Sequence, residues 1–105
     1  MRTVSILILT QPECAFCDAA KVIFERLSRD YPLLSVSTVT IDSPDGASLA
    51  QRGGVMFPPG IFIDGKPFSY GRPSERKIRR EIERRLQQAR KCEEETANEG
   101  IVEKI

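Results

Sequence analysis

Cys14 and Cys17 are separated only by Ala15-Phe16. They follow closely on the apolar run Val4 to Leu9 and lead into a stretch with helical apolar spacing. Few architectures satisfy a strand that stops, two cysteines three apart, and a helix that starts on them. Such a pair can close a small disulfide ring, share a metal or simply pack. In the redox reading Cys14 stands at the helix N-terminus, where unpaired backbone N–H groups and the positive end of the helix dipole stabilise a thiolate. Cys17, one turn in, is then the resolving thiol that attacks the mixed disulfide formed by Cys14. A closed structural zinc site wants four ligands. The chain holds one further cysteine, Cys92, and no histidine, so no metal-ligand set is expected.

Composition narrows the class. With 105 residues, 40% hydrophobic and 30% charged, the chain fits one ordinary globular domain. Its longest apolar runs are too short to span a membrane and lack signal-peptide flanks, so the expectation is a cytoplasmic protein with no membrane partner. An odd number of cysteines fits a reducing compartment, where paired cysteines are catalytic more often than structural. Charge is unevenly spread. Arg72 to Lys91 carries nine basic and three acidic residues, and Cys92 to Ile105 carries five acidic and one basic. The basic stretch reads as a solvated helix face, because Glu75/Arg79, Lys77/Glu81 and Glu81/Arg85 fall at i,i+4. Nothing aromatic is interleaved with it, so nucleic acid is not an expected partner.

Thr3 to Leu9 has the pattern of a strand covered on both faces. Phe16, Ala20, Ile23, Phe24 and Leu27 repeat at three and four, which predicts a helix from Ala15 to Arg29 with that stripe on the sheet. Val36 to Ile41 reads as a second strand, parallel to the first across the helix. Asp42 to Gly46 is turn chemistry, followed by a short helix through Leu49-Ala50 that stops at Gly53-Gly54. Ile61 to Ile63 and Lys66 to Tyr70 are two strands joined by Asp64-Gly65, a hairpin signal, and Pro67 makes the last strand an edge. A final helix, capped by Ser74 or Arg72, carries Ile78, Ile82, Leu86 and Ala89 on one stripe. Cys92 continues that stripe as a small hydrophobe or bystander. The domain is expected to span 1–92, with 93–105 an acidic tail that is frayed or disordered.

Three segments in order carry a resemblance: Thr10-Gln11-Pro12-Glu13-Cys14-Ala15-Phe16-Cys17, Phe57-Pro58-Pro59-Gly60-Ile61-Phe62-Ile63-Asp64-Gly65, and the Gly71 loop before the last helix. Over residues 3–90 the chain resembles the glutaredoxin branch of the thioredoxin-fold superfamily. The resemblance implies an α/β, thioredoxin-like three-layer sandwich. Its four-stranded mixed sheet and three helices run in the order β-α-β-α-β-β-α. It also implies a cis-proline. In glutaredoxins that proline precedes the hairpin glycine by six positions, as Pro59 precedes Gly65.

The implied function is a dithiol oxidoreductase acting on protein or low-molecular-weight mixed disulfides. Cys14 and Cys17 are catalytic, and Gln11, Phe16, Phe57, Pro58, Pro59, Gly71 and Arg72 line the substrate groove. No cofactor is bound. Electrons come from glutathione, another low-molecular-weight thiol, or an NADPH-dependent thioredoxin reductase, and the protein is a monomer. Pro58 departs from the family, since the residue before the cis-proline usually pairs with substrate through its N–H, which proline lacks. Gln11 and Arg72-Pro73-Ser74 replace the lysine and acidic residues that hold glutathione in glutaredoxins. Glu13 and Asp18 oppose the helix dipole's stabilisation of the thiolate, so a reducing rather than strongly oxidising disulfide is expected. The alternative is a glutaredoxin-like module that docks partners or shares an iron–sulfur cluster through Cys14.

Overall fold

The computed structural model describes the backbone of residues 3–102 and the side chains of residues 3–88. Seven elements follow in the order β1 (Val4–Thr10), α1 (Ala15–Asp30), β2 (Leu34–Thr40), α2 (Pro44–Gly53), β3 (Gly60–Ile63), β4 (Lys66–Tyr70) and α3 (Glu75–Val102). They form one mixed sheet of order β2-β1-β3-β4. β2 runs parallel to β1, while β3 and β4 are antiparallel to their neighbours. Pro67 lies in the edge strand β4, with an irregular register between Ile61 and Phe62.

The core forms on one face. Val4, Ile6 and Ile8 of β1 and Ile61 and Ile63 of β3 meet Ala20, Ile23, Phe24 and Leu27 of α1 and Ile78 and Ile82 of α3. These residues are nearly all fully buried, and each branched or aromatic side chain removed from water contributes roughly 1.5–3 kcal/mol. Two expectations are corrected here. Phe16 does not join the stripe: it is exposed, and Cys17 takes the buried position in α1's first turn. Nor is β1 covered evenly on both faces, because Ser5 is exposed and Leu7 only half-buried. The second face is covered only toward the end of β1: Gly53 of the short α2 packs on Phe62, and Leu9 is fully buried.

α2 begins earlier than turn chemistry suggests. Ser43 is its N-cap, accepting the Gly46 N–H at 3.0 Å, and Pro44 occupies the first helical turn, where a missing N–H costs nothing. A Cβ at Gly46 would lie 2.0 Å from the Thr40 carbonyl oxygen, so this glycine lets the helix start directly on the end of β2. Gly54 closes the helix in the left-handed region.

α3 is capped by Ser74, whose carbonyl accepts from Ile78 and whose hydroxyl accepts from Lys77. The helix continues past residue 92 to Val102; the stretch contains no proline and several good helix formers. The side chains of Ala89, Cys92 and the acidic stretch lie outside the described residues. α3 is tied to α1 by a polar cluster. Arg79 reaches Asp30 at 3.0 Å and Glu75 at 3.3 Å and stacks over Tyr31, whose hydroxyl donates to Glu83. Partial burial and the Glu83 carboxylate hold the Tyr31 phenol above its ordinary pKa. Of the expected i,i+4 pairs, Glu75–Arg79 and Glu81–Arg85 form, while Glu81 also takes Arg84 rather than Lys77.

Candidate active site

Cys14 is the N-cap of α1, with extended backbone (φ −120°, ψ 106°), and its sulfur accepts the Cys17 N–H at 3.1 Å. A sulfur in that position receives one of the helix's unpaired donors and the positive end of its dipole. Cys14 and Cys17 form a disulfide, with Cα atoms 5.1 Å apart. Cys14 is half-buried, whereas Cys17 is 1% exposed. Only one of the two sulfurs is thus open to a bulky partner. Glu13, just before the pair, holds a left-handed backbone at φ 53° that turns the chain from the loop into the helix. Among the described residues no three His, Cys, Asp or Glu side chains converge as a metal site, and no helix is long and apolar enough to cross a membrane.

The second half of the site comes from the loop before β3. The Pro58–Pro59 peptide is cis. Its location follows from register: Gly60 pairs with Leu9 near the end of β1 and with Tyr70 at the end of β4. The proline loop, the start of the cysteine loop and the end of β4 therefore share one end of the sheet. The Gly71 N–H donates to the Pro59 carbonyl at 2.9 Å. Phe57 stands edge-on to Tyr70, with ring centroids 5.3 Å apart and planes at 87°. Gly71 is needed twice over. Its φ is +80°, and a Cβ there would sit 2.5 Å from the Phe57 ring.

Of the groove residues expected from sequence, Phe57, Pro59 and Gly71 are brought into one packed unit, and Pro58 belongs to the same loop, half-buried. Phe16 is exposed beside the cysteines. Gln11 is exposed where the chain leaves β1, and Arg72 is exposed just after Gly71. Sequence reasoning missed Met56, which is 77% exposed, and Tyr70. Counting from the Asp64-Gly65 turn sets Ser69 across from Gly60, and the register irregularity between Ile61 and Phe62 brings Tyr70 there instead. Four of the six exposed large apolar side chains among the described residues, Phe16, Met56, Phe57 and Tyr70, lie on these segments.

A partly exposed cysteine on a helix end with a buried partner is built to exchange a dithiol for a disulfide. The sheet that carries the pair is that of the thioredoxin fold, and the protein is a thiol–disulfide oxidoreductase of that class. The chain is 30% identical over 86 residues to the thioredoxin of Methanocaldococcus jannaschii, covering 82% of this chain and all of that one. It belongs to the thioredoxin family. Solved structures agree on the fold. Oxidised thioredoxin O2 of Arabidopsis thaliana superposes with a TM-score of 0.61 at 19% identity, over 78% of this chain and 74% of that one. Oxidised mitochondrial thioredoxin 3 of Saccharomyces cerevisiae gives 0.62 at 14% identity, over 79% of each. No family model matches the chain.

Proposed function

We propose that this protein is a cytoplasmic dithiol reductase of protein disulfides, with Cys14 as nucleophile and Cys17 as resolving thiol. The Cys14 thiolate attacks one sulfur of a substrate disulfide, forming a mixed disulfide and releasing one substrate thiolate, which takes up a proton. Cys17 then loses its proton and attacks the Cys14 sulfur, which frees the second substrate thiol and closes the Cys14–Cys17 disulfide. Two electrons pass to the substrate, and an external dithiol or NADPH-dependent reductase returns them to the protein. The observation that carries these roles is the asymmetry of exposure at the pair, since a buried Cys17 is reached by an adjacent sulfur far more readily than by a protein substrate.

Phe16, Met56, Phe57 and Tyr70 supply the apolar surface on which an extended substrate segment rests. Pro58 offers it a carbonyl but no N–H, so hydrophobic contact takes a larger share of recognition. The glutathione anchors of glutaredoxins are replaced by Gln11 and Arg72-Pro73-Ser74, which favours a thioredoxin-reductase route over glutathione. The family assignment and the closed disulfide favour dithiol exchange over a cluster-holding module. The deciding experiment offers the oxidised protein NADPH with thioredoxin reductase, glutathione, and other low-molecular-weight thiols in parallel, and follows thiol release. Rapid reduction by the reductase and slow reduction by glutathione are expected. Failure of every donor overturns the reading.

A further inference from the structure

No strand among the described residues pairs with the outer side of β2, and β2 carries none of the usual protections of a sheet edge. Its sequence, Leu34-Ser35-Val36-Ser37-Thr38-Val39-Thr40, has no charge and no proline, and its register with β1 runs unbroken through seven pairs. Residues 35–38 are all exposed. Beside it lies an open groove of about 390 Å³ between β2 and α1, with Ile8, Phe24 and Val36 as its apolar part and Lys21, Glu25 and Arg29 of α1 along its rim.

The phase of the ladder shows which groups are free. The Val4 N–H donates to the Leu33 carbonyl at 2.9 Å, and the Ile41 N–H to the Thr10 carbonyl at 2.8 Å. In a parallel pair, a residue's N–H and C=O point the same way. Odd-numbered residues of β2 therefore face β1 and even-numbered ones face outward. Two outward groups are already engaged. The Leu34 N–H donates to Tyr31, and the Thr40 carbonyl accepts from the Ser43 N–H and hydroxyl. What remains is three donors, the N–H groups of Val36, Thr38 and Thr40, and three acceptors, the carbonyls of Leu34, Val36 and Thr38.

We infer that β2 pairs with β2 of a second copy, antiparallel, about a two-fold axis through Ser37. The register follows from the free groups. With Ser37 opposite Ser37, Val36 and Thr38 exchange both of their bonds with the partner's Thr38 and Val36, and Thr40 donates to the partner's Leu34. Every free donor meets a free acceptor, giving six intermolecular bonds. A slip of one pair to either side sends a donor to the engaged Thr40 carbonyl or beyond the strand. The side chains fit as well, since the cross-strand pairs are Ser35 with Val39, Val36 with Thr38, and Ser37 with itself, with no charge brought opposite a like charge. The result is a continuous eight-stranded sheet in which the β1 strands of the two copies run in opposite directions. The Cys14 sites lie at opposite ends and both stay open, so the pairing is independent of the redox reading. It revises the expectation of a monomer. A contact of one strand per copy is small, and it makes a weak, reversible dimer.

The test has two arms on the full chain carrying Cys92→Ala. Sedimentation from about 10 µM to 1 mM is expected to show the mass rising toward that of two chains, the range of a weak interface. Thr38→Pro removes an outward N–H without touching the β1 ladder. It is expected to weaken the dimer roughly tenfold or more while leaving disulfide reduction unchanged. In the second arm, Ser37→Cys is oxidised with diamide while Cys14–Cys17 is closed. Directly opposed residues in a non-hydrogen-bonded pair have Cα atoms about 4.5 Å apart, within disulfide reach. Ser37→Cys should cross-link rapidly, and Ser35→Cys, which faces Val39 of the other copy, should not. Monomeric mass at every concentration, or equal cross-linking of the two variants, overturns the inference. The first result would leave the edge to a strand from a different protein.

Discussion

The two loops of the active site are held in place by different means. The cysteine loop is set by backbone physics close in sequence: β1 ends, Glu13 turns left-handed, Cys14 caps α1 and Cys17 follows one turn later. The proline loop is set by packing across the sheet. Phe57 rests on Gly71 and Tyr70, and Gly71 bonds back to Pro59. The first places the reacting sulfurs and the second shapes what can approach them. Chemistry and recognition can therefore be changed separately, and the variants below test that division.

The largest effect is expected in the cysteine loop. Cys14→Ser removes the more exposed cysteine of the pair and should abolish turnover of every disulfide. Cys17→Ser should retain the first attack and accumulate a mixed disulfide with substrate, detectable as an adduct by mass spectrometry. Comparable residual activity in the two variants would show that exposure does not set the roles.

Legibility in the sequence follows the same division. The cysteine loop could be read because its signals lie within a few residues of one another: an apolar run, a break, the cysteine pair and a helical stripe. The hairpin was equally local, through Asp64-Gly65. Phe16 was misplaced because helical spacing alone cannot tell Phe16 from Cys17 as the buried member of the first turn. Met56 and Tyr70 were missed because the exposure of a loop side chain and a register irregularity inside a hairpin leave no periodic signal in the sequence. The partial exposure of β1 at Ser5 and Leu7 was also hidden, because an apolar run reports what a strand can bury, not how far along it the cover extends. α2 itself was shortened because Ser-Pro-Asp-Gly signals a turn and a helix start equally well until the Ser43 cap is seen.

In the proline loop, the next largest effect belongs to Gly71→Ala. A side chain there meets both a left-handed backbone and the Phe57 ring, and the loss should be about 1–3 kcal/mol of stability. Activity on protein disulfides should fall further than activity on a small disulfide, because the displaced groups shape the groove and leave Cys14 alone. Combining it with Phe57→Ala removes the ring and should leave only the backbone cost, about 1 kcal/mol. Denaturation midpoints of the single and double variants measure this; strict additivity would mean that the ring and the glycine are not coupled. Pro58→Val comes next. It restores an N–H beside the groove and should tighten binding of extended peptide disulfides up to about tenfold, as for one net hydrogen bond. Small disulfides, which cannot pair as a strand, should be unaffected.

The smallest effect returns to the cysteine loop and asks how much strain its local design carries. Glu13 is a non-glycine residue at φ 53°, a conformation that costs an L-residue roughly 1–2 kcal/mol relative to the right-handed region. Glu13→Gly removes that cost, but glycine loses more freedom on folding, which takes back about 0.5–1 kcal/mol. It also removes a carboxylate near the positive end of α1, a favourable contact of about 0.3–1 kcal/mol. Glu13→Gln separates these contributions, because it keeps the strained backbone and loses only the charge. Glu13→Gln should thus be slightly less stable than the wild-type chain, and Glu13→Gly more stable than Glu13→Gln by several tenths of a kcal/mol. Denaturant titration of the three proteins, each oxidised at Cys14–Cys17, gives the order. If the glycine variant is no more stable than the glutamine variant, the turn into α1 is unstrained, and the cysteine loop depends on distant packing as the proline loop does.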